Sequence, residues 1–195
     1  MVKFNEYRSP AHLSVLDAAR ACVDSSGFAN VTMDDICEAA IASRATVYRL
    51  FPGGRDVLLE ALRERSLEEF FTLLRAHIED ADSLEDLLVR SIVVATSELQ
   101  HDEHLAALMA TAPGEALGDL TVSGVPRIIR IATAFITPLA ERFITAQEAA
   151  EMVDIMSRLV ISYFLAPSQT VDFSNEDSTR RFVQAYFNTS THSIL

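Results

Sequence analysis

The chain contains no tryptophan, only two cysteines, six glycines and six prolines in 195 residues. So few turn-forming residues argue against an all-β architecture and favour helices. Cys22 and Cys37 have neither metal-site spacing nor the density of a disulfide scaffold. Both fall in apolar helical patterns, where a free cysteine behaves as a small hydrophobe. No apolar run approaches the roughly 18 residues of a membrane-spanning helix, so no membrane partner is expected. The opening MVKFNEYRSP lacks the apolar stretch of a signal peptide. What is abundant is the apolar fraction, 49%, enough for a well-buried core. The composition reads as a soluble, reduced, cytoplasmic protein.

Bases are scarce too, and unevenly placed. The chain has 16 Lys and Arg against 28 Asp and Glu, a net charge of -12. Six of the bases (Lys3, Arg8, Arg20, Arg44, Arg49, Arg55) lie before residue 59, beside seven acids. The first part is therefore nearly neutral, with clustered arginines, while the remainder carries almost all the negative charge and repels polyanions. That asymmetry suggests two jobs in one chain.

Apolar periodicity and capping signals divide the sequence into about nine helices, an all-α fold. Leu13, Leu16, Ala19, Cys22 and Val23 recur at helical spacing before Gly27 ends the first helix. Thr32 followed by Asp35 is a capping box opening a short second helix with Ile36, Ala39 and Ala40 on its apolar side. Ser43 is the natural N-cap of a third helix to about Leu50, with Val47, Leu50 and Phe51 inward. The turn Pro52-Gly53-Gly54 then leads into a long helix from Arg55 to about Glu79, its apolar side being Leu58, Leu59, Leu62, Phe70, Leu73 and Leu74. Further helices begin at the caps Ser83 and Thr145 and at Pro126. Pro138 is expected to kink or split its helix, and a last helix covers roughly residues 175–187.

Helix, short helix, turn and short helix is the arrangement in which the second short helix can enter a DNA major groove. On that reading Arg44 can reach guanine edges or phosphate, and Thr46 can bond a base or meet a thymine methyl. Tyr48, Arg49 and the Thr32 hydroxyl can hold phosphates. Arg55 begins the next helix beside free N–H groups, which also favours a phosphate. From spacing alone, solvated surface arginines on an ordinary three-helix unit remain the competing reading.

Residues of about 9 to 69 resemble the DNA-binding domain of the TetR family of transcriptional regulators, through VLDAARACVDSSGFANVTMDDICEAA and SRATVYRLFPGGRDVLLEAL. The resemblance implies that residues 9–69 form a helix-turn-helix domain and residues 70–195 a helical ligand-binding and dimerisation domain. It implies a homodimer, a double-stranded DNA operator and a small-molecule effector, with repression as the usual outcome; separately, no nucleophile elbow, P-loop or dinucleotide fingerprint is present, so no catalysis or cofactor is expected. The DNA-facing set is then Thr32, Ser43, Arg44, Thr46, Tyr48, Arg49 and Arg55. Two departures stand out. Ile41 occupies a turn position where the family has glycine, so the turn is expected to take another geometry here. His12 stands where a basic residue is common, which leaves fewer phosphate contacts.

In the second part, the segment 149–165 is apolar around most of its circumference, as a helix buried on two sides would be. Met152, Met156, Val160 and Tyr163, with Phe182 and Tyr186 of the last helix, are candidates for a symmetric dimer face; an ordinary intrachain core is the alternative. A pocket is expected near Leu105, Met109, Ile128, Phe135 and Met156. ELQHDEH also invites a metalloprotein or enzyme reading through Glu98, His101 and His104. Di-iron bundles, however, need a second Glu-x-x-His, which the sequence lacks. A regulator-like protein that no longer binds DNA is the other alternative, kept open by Ile41 and by an N-terminal extension whose only bases are Lys3 and Arg8.

Overall fold

The computed structural model describes residues 7–102, 105–106, 114 and 124–187. Among the described residues there are eight helices and no strand: α1 (Pro10–Ser26), α2 (Met33–Ala39), α3 (Arg44–Leu50), α4 (Arg55–Ile78), α5 (Leu84–His101), α6 (Val125–Ala140), α7 (Ala146–Leu165) and α8 (Glu176–Tyr186). Lys3, His104 and Met109 lie outside the described residues. The chain divides into two compact units between Ser66 and Leu67.

In the first unit, local chemistry starts each helix. The Ser9 hydroxyl caps α1, which opens on Pro10. Thr32 and Asp35 form a reciprocal capping box on α2, and Ser43 accepts from the Thr46 N–H to cap α3. Val15, Leu16, Ala19 and Val23 of α1 pack with Ile36 and Cys37 of α2, Val47 of α3, and Leu58, Leu59 and Leu62 of α4. Phe51 is fully buried at the centre, stacked on Tyr7 with ring centroids 5.1 Å apart. Each large side chain so buried contributes about 1.5–3 kcal/mol. On α1 the buried position is Val15, whereas Leu13 is exposed; on α2 it is Cys37, whereas Ala39 is exposed.

Helices α2 and α3 are only seven residues each, far below the length at which a helix holds itself together in water. Tertiary ties replace length. The His12 Nε2–H donates to the Leu50 carbonyl at 3.2 Å, closing the C-terminal end of α3 from α1. Its ring lies edge-on to Phe51 and Tyr7, and Nδ1 is 2.7 Å from the Ser9 hydroxyl. His12 is thus a tie inside the unit, and the phosphate role of a basic residue at that position has no counterpart in its geometry.

In the second unit, α6 packs along α7, and α5 packs against both α7 and α8. Leu88, Val89 and Ile92 of α5, Met156 and Val160 of α7, Phe173 and Val183 form one core cluster. The caps at Ser83, Thr145 and Asn175 are all made, the second as a full box with Glu148. Arg142 ties the α6–α7 loop down by donating to the Glu79 and Ala81 carbonyls at 3.1 Å. Pro138 does not split α6, which runs on to Ala140 and ends there. On α4 the inward aromatic of this unit is Phe71, while Leu73 is exposed.

Candidate nucleic-acid interface

The link between α2 and α3 turns at Ile41, whose φ of 50° is the left-handed conformation. The expectation of another geometry is therefore corrected. The turn keeps the backbone that suits glycine, with a β-branched residue in it at a cost of about 1–2 kcal/mol. The Ile41 side chain is 95% exposed, so no burial offsets that strain. The turn persists because its ends are over-determined: the Ile41 and Ala42 N–H groups donate to the Glu38 and Cys37 carbonyls, and α2 and α3 are each capped.

On α3, Val47 faces the core, and Arg44, Ala45, Tyr48 and Arg49 are exposed. Ser43 and Thr46 bring their hydroxyl oxygens to 2.9 Å at the N-terminal end. Tyr48 is 47% exposed and leans over the following turn: a Cβ on Gly54 would stand 3.1 Å from its ring. Gly54 also has φ of 74°, so that position is glycine for two independent reasons. The face presented by α3 thus has two arginines, a phenol and two hydroxyls on a helix fixed at both ends.

Three side chains are already engaged, Arg44 and Arg55 by partners that the sequence did not reveal and Thr32 by the capping box that it did. Arg44 forms a two-pronged pair with Asp34, ten residues earlier: Nε donates to Oδ1 at 2.5 Å and Nη2 to Oδ2. That bonding, reinforced by the opposite charge, pushes the guanidinium pKa still higher, so Arg44 stays charged at any working pH. Thr32 uses its hydroxyl twice inside the capping box, donating to Asp35 at 2.6 Å and accepting the Asp35 N–H at 3.2 Å. A phosphate bound by that hydroxyl would have to displace a carboxylate. Arg55 is the third. Its Nε donates to the Val31 carbonyl at 2.6 Å, and its Nη2 donates to the Phe28 carbonyl and, at 3.3 Å, to that of Ala29. Arg55 therefore clamps the loop before α2 through Nε and Nη2, with Nη1 3.5 Å from Asp56 Oδ1, and the phosphate contact expected of it stays an expectation.

The other expected sites lie in the second unit. Met156 and Val160 are buried in the core of a single chain, against α5 and α8, so neither can form a face between chains. What remains exposed nearby is Ile155, at 49%, and Tyr186, at 75%, with Met152, Tyr163 and Phe182 half-buried. Ile128, Phe135 and Leu105 are half-buried, and Phe135 lies 6.2 Å from Phe71 between ring centroids. Glu98 and His101 are on α5, where the His101 Nδ1–H donates to the Ser97 carbonyl at 2.7 Å. Among the described residues no three potential metal ligands gather, and no helix is long and apolar enough to cross a membrane.

A capped three-helix unit in which two short helices meet at a tight turn defines a helix-turn-helix protein. Residues 15–62 match the family described as bacterial regulatory proteins, tetR family. The chain is 30% identical over 109 residues to uncharacterized HTH-type transcriptional regulators of Mycobacterium tuberculosis and Mycobacterium bovis, covering 56% of this chain and 55% of each relative. It thus spans about half the length of these curated relatives. Among solved structures it is similar to the TetR family repressor AlkX from a Dietzia strain, implicated in biodegradation of n-alkanes. That likeness has a TM-score of 0.67 and 26% identity, and covers 92% of this chain and 96% of that one. The fold is shared with the fatty acid degradation regulator FadR from Bacillus halodurans, at a TM-score of 0.57 and 15% identity over 90% of this chain and 95% of that one. Residues 15–62 thus match the tetR-family model, and over most of its length the chain is similar in fold to the TetR family repressor AlkX.

Proposed function

We propose that the protein is a homodimeric transcriptional regulator that binds operator DNA through residues 9–69 and represses until a small molecule binds within residues 70–195. The observation that carries this reading is the exposed face of α3, with Arg44, Tyr48 and Arg49 outward and Val47 buried behind them. Arg44 and Thr46 would face base edges, while Ser43, Tyr48 and Arg49 would hold the phosphates alongside. Two such units must sit roughly 34–36 Å apart to enter successive major grooves. A protein with this work resides with the chromosome in the cytoplasm.

The exposed Ile155 and Tyr186, with Met152, Tyr163 and Phe182, support a symmetric contact between α7 and α8 of two chains. An effector with an apolar body is supported by the aromatic interior of the second unit, and the Ser91 and Thr96 hydroxyls, buried without a partner among the described residues, would suit a polar group on it. The AlkX repressor, implicated in n-alkane biodegradation, points to the same kind of molecule. Effector binding would favour a geometry of the dimer that no longer fits DNA, and the coupling would be reciprocal. The deciding experiment is a gel shift of the protein on the DNA upstream of its own gene at several salt concentrations. Specific, salt-weakened binding is expected, and binding no tighter than to random DNA at every salt concentration would overturn the reading.

A further inference from the structure

The pairing of Arg44 with Asp34 has a direction. A guanidinium carries five N–H donors, on a side-on edge (Nε and one hydrogen of Nη2) and an end-on edge (Nη1 and the other hydrogen of Nη2). Asp34 takes the side-on edge, one carboxylate oxygen to each nitrogen. The end-on edge has no partner among the described residues, and both side chains remain largely open, at 65% and 62% exposed. Two parallel end-on donors match the O6 and N7 acceptors that guanine shows in the major groove.

We infer that Asp34 is a positioning residue for sequence readout, holding Arg44 side-on so that the free edge of the guanidinium is presented to one guanine in each operator half-site. This rests on the operator-binding reading above. Asp34 is itself well held: it is the second residue of α2, behind the Thr32–Asp35 box, and the helix N-terminus favours its negative charge. The turn at Ile41 fixes where α3 starts, so the carboxylate and the arginine meet across two rigid ends.

The same carboxylate shapes affinity for DNA in general. Without a partner, a long arginine side chain samples many rotamers and pairs with any nearby phosphate as readily as with a base. Asp34 restrains those rotamers and adds a negative charge next to the backbone of any duplex, which weakens binding to every sequence. At a guanine that cost is offset by two well-aligned hydrogen bonds; elsewhere it is not. Asp34 therefore trades general affinity for discrimination.

The test uses the full-length protein. Preferred sites are first selected from a random pool of duplexes. The relevant guanine is the one whose replacement weakens binding by wild type but not by Arg44→Ala. Affinities for the selected duplex, the guanine-replaced duplex and a random duplex are then compared for wild type, Asp34→Ala and Asp34→Asn, with helicity and thermal melting as folding controls.

Wild type should prefer the guanine by roughly tenfold or more, the worth of a good two-pronged base contact. Asp34→Ala should lose at least about fivefold of that preference, bind the random duplex more tightly, and keep its selectivity at other positions. Asp34→Asn, which retains the shape and one acceptor, should fall between, and it carries the test if the alanine variant folds poorly. Unchanged or sharper guanine preference in the Asp34 variants would overturn the inference, since Asp34 would then be a bystander or a competitor for Arg44. A wild type that binds DNA without any Arg44-dependent guanine would overturn it too, leaving the operator-binding reading standing. No binding to any duplex would sink that reading and this inference with it.

Discussion

Arg55, the first residue of α4, donates its Nε–H to the carbonyl of Val31, the residue before the cap of α2. With its bonds to Phe28 and Ala29, the guanidinium fastens the start of the long helix to the loop that positions the helix-turn-helix. Hydrogen bonds from a charged donor contribute about 1.5–3 kcal/mol, so Arg55→Ala should destabilise the protein by about that amount in urea unfolding. Its effect on DNA binding should be equally diagnostic. A phosphate ligand would reduce the slope of log affinity against log salt by about 0.9, whereas loss of a clamp should weaken binding with that slope unchanged.

The strained turn makes an opposite prediction. Ile41→Gly should relieve the left-handed strain of about 1–2 kcal/mol while adding back about 0.5–1 kcal/mol of chain entropy, a net gain of about 0.5–1 kcal/mol. The side chain is exposed, so no packing is lost. The urea midpoint should rise with the dependence on urea unchanged. A fall in the midpoint would mean that Ile41 makes a contact that stabilises the turn.

The capping box gives a pH dependence with a definite sign. Hydrogen bonds from the Thr32 hydroxyl and backbone N–H hold the Asp35 carboxyl below the ordinary aspartate range. A carboxyl lowered in the folded state adds stability above its unfolded value of about 3.9 and loses it as pH falls through the folded value. The stability gap between wild type and Asp35→Asn should therefore be widest above about pH 4 and shrink on acidification below it. Unfolding curves between neutral and strongly acid pH check this, and a gap that stays constant over that range would contradict it.

Core and surface of α7 should separate cleanly. Met156→Ala should cost about 2–5 kcal/mol of stability, as expected for a buried methionine. Ile155→Glu should leave the thermal midpoint of the folded chain nearly unchanged but shift a dimer toward monomer, read by light scattering across protein concentration. An Ile155→Glu protein that stays fully dimeric would place the partner contact elsewhere.

What could be read from the sequence was mostly local. The caps at Thr32, Ser43, Ser83 and Thr145 follow from residues three apart, and each is made as expected. Burial within a helix was legible to about one residue. Val15 rather than Leu13, and Phe71 rather than Leu73, face inward because the covering neighbours are set by tertiary packing. The α7 face misled for a related reason. Apolar residues all around a helix mark two buried sides, but the pattern does not tell which side its own chain covers, and α5 and α8 take Met156 and Val160. Least legible were the arginine partners. Asp34 with Arg44, and Arg55 with the loop carbonyls, depend on how helices cross, and the sequence shows only that acids and bases are present.

The tie from His12 to Leu50 joins residues 38 positions apart and closes a helix of seven residues. Such a helix has no independent existence. Its last turn is completed by a side chain that arrives only once α1 has docked, so the element proposed to face DNA can form no earlier than the unit around it. An excised peptide spanning residues 43–56 would keep every arginine and lose the recognition surface. Whatever loosens α1 therefore unravels the reading head as a single cooperative event, even when no residue on that head has changed.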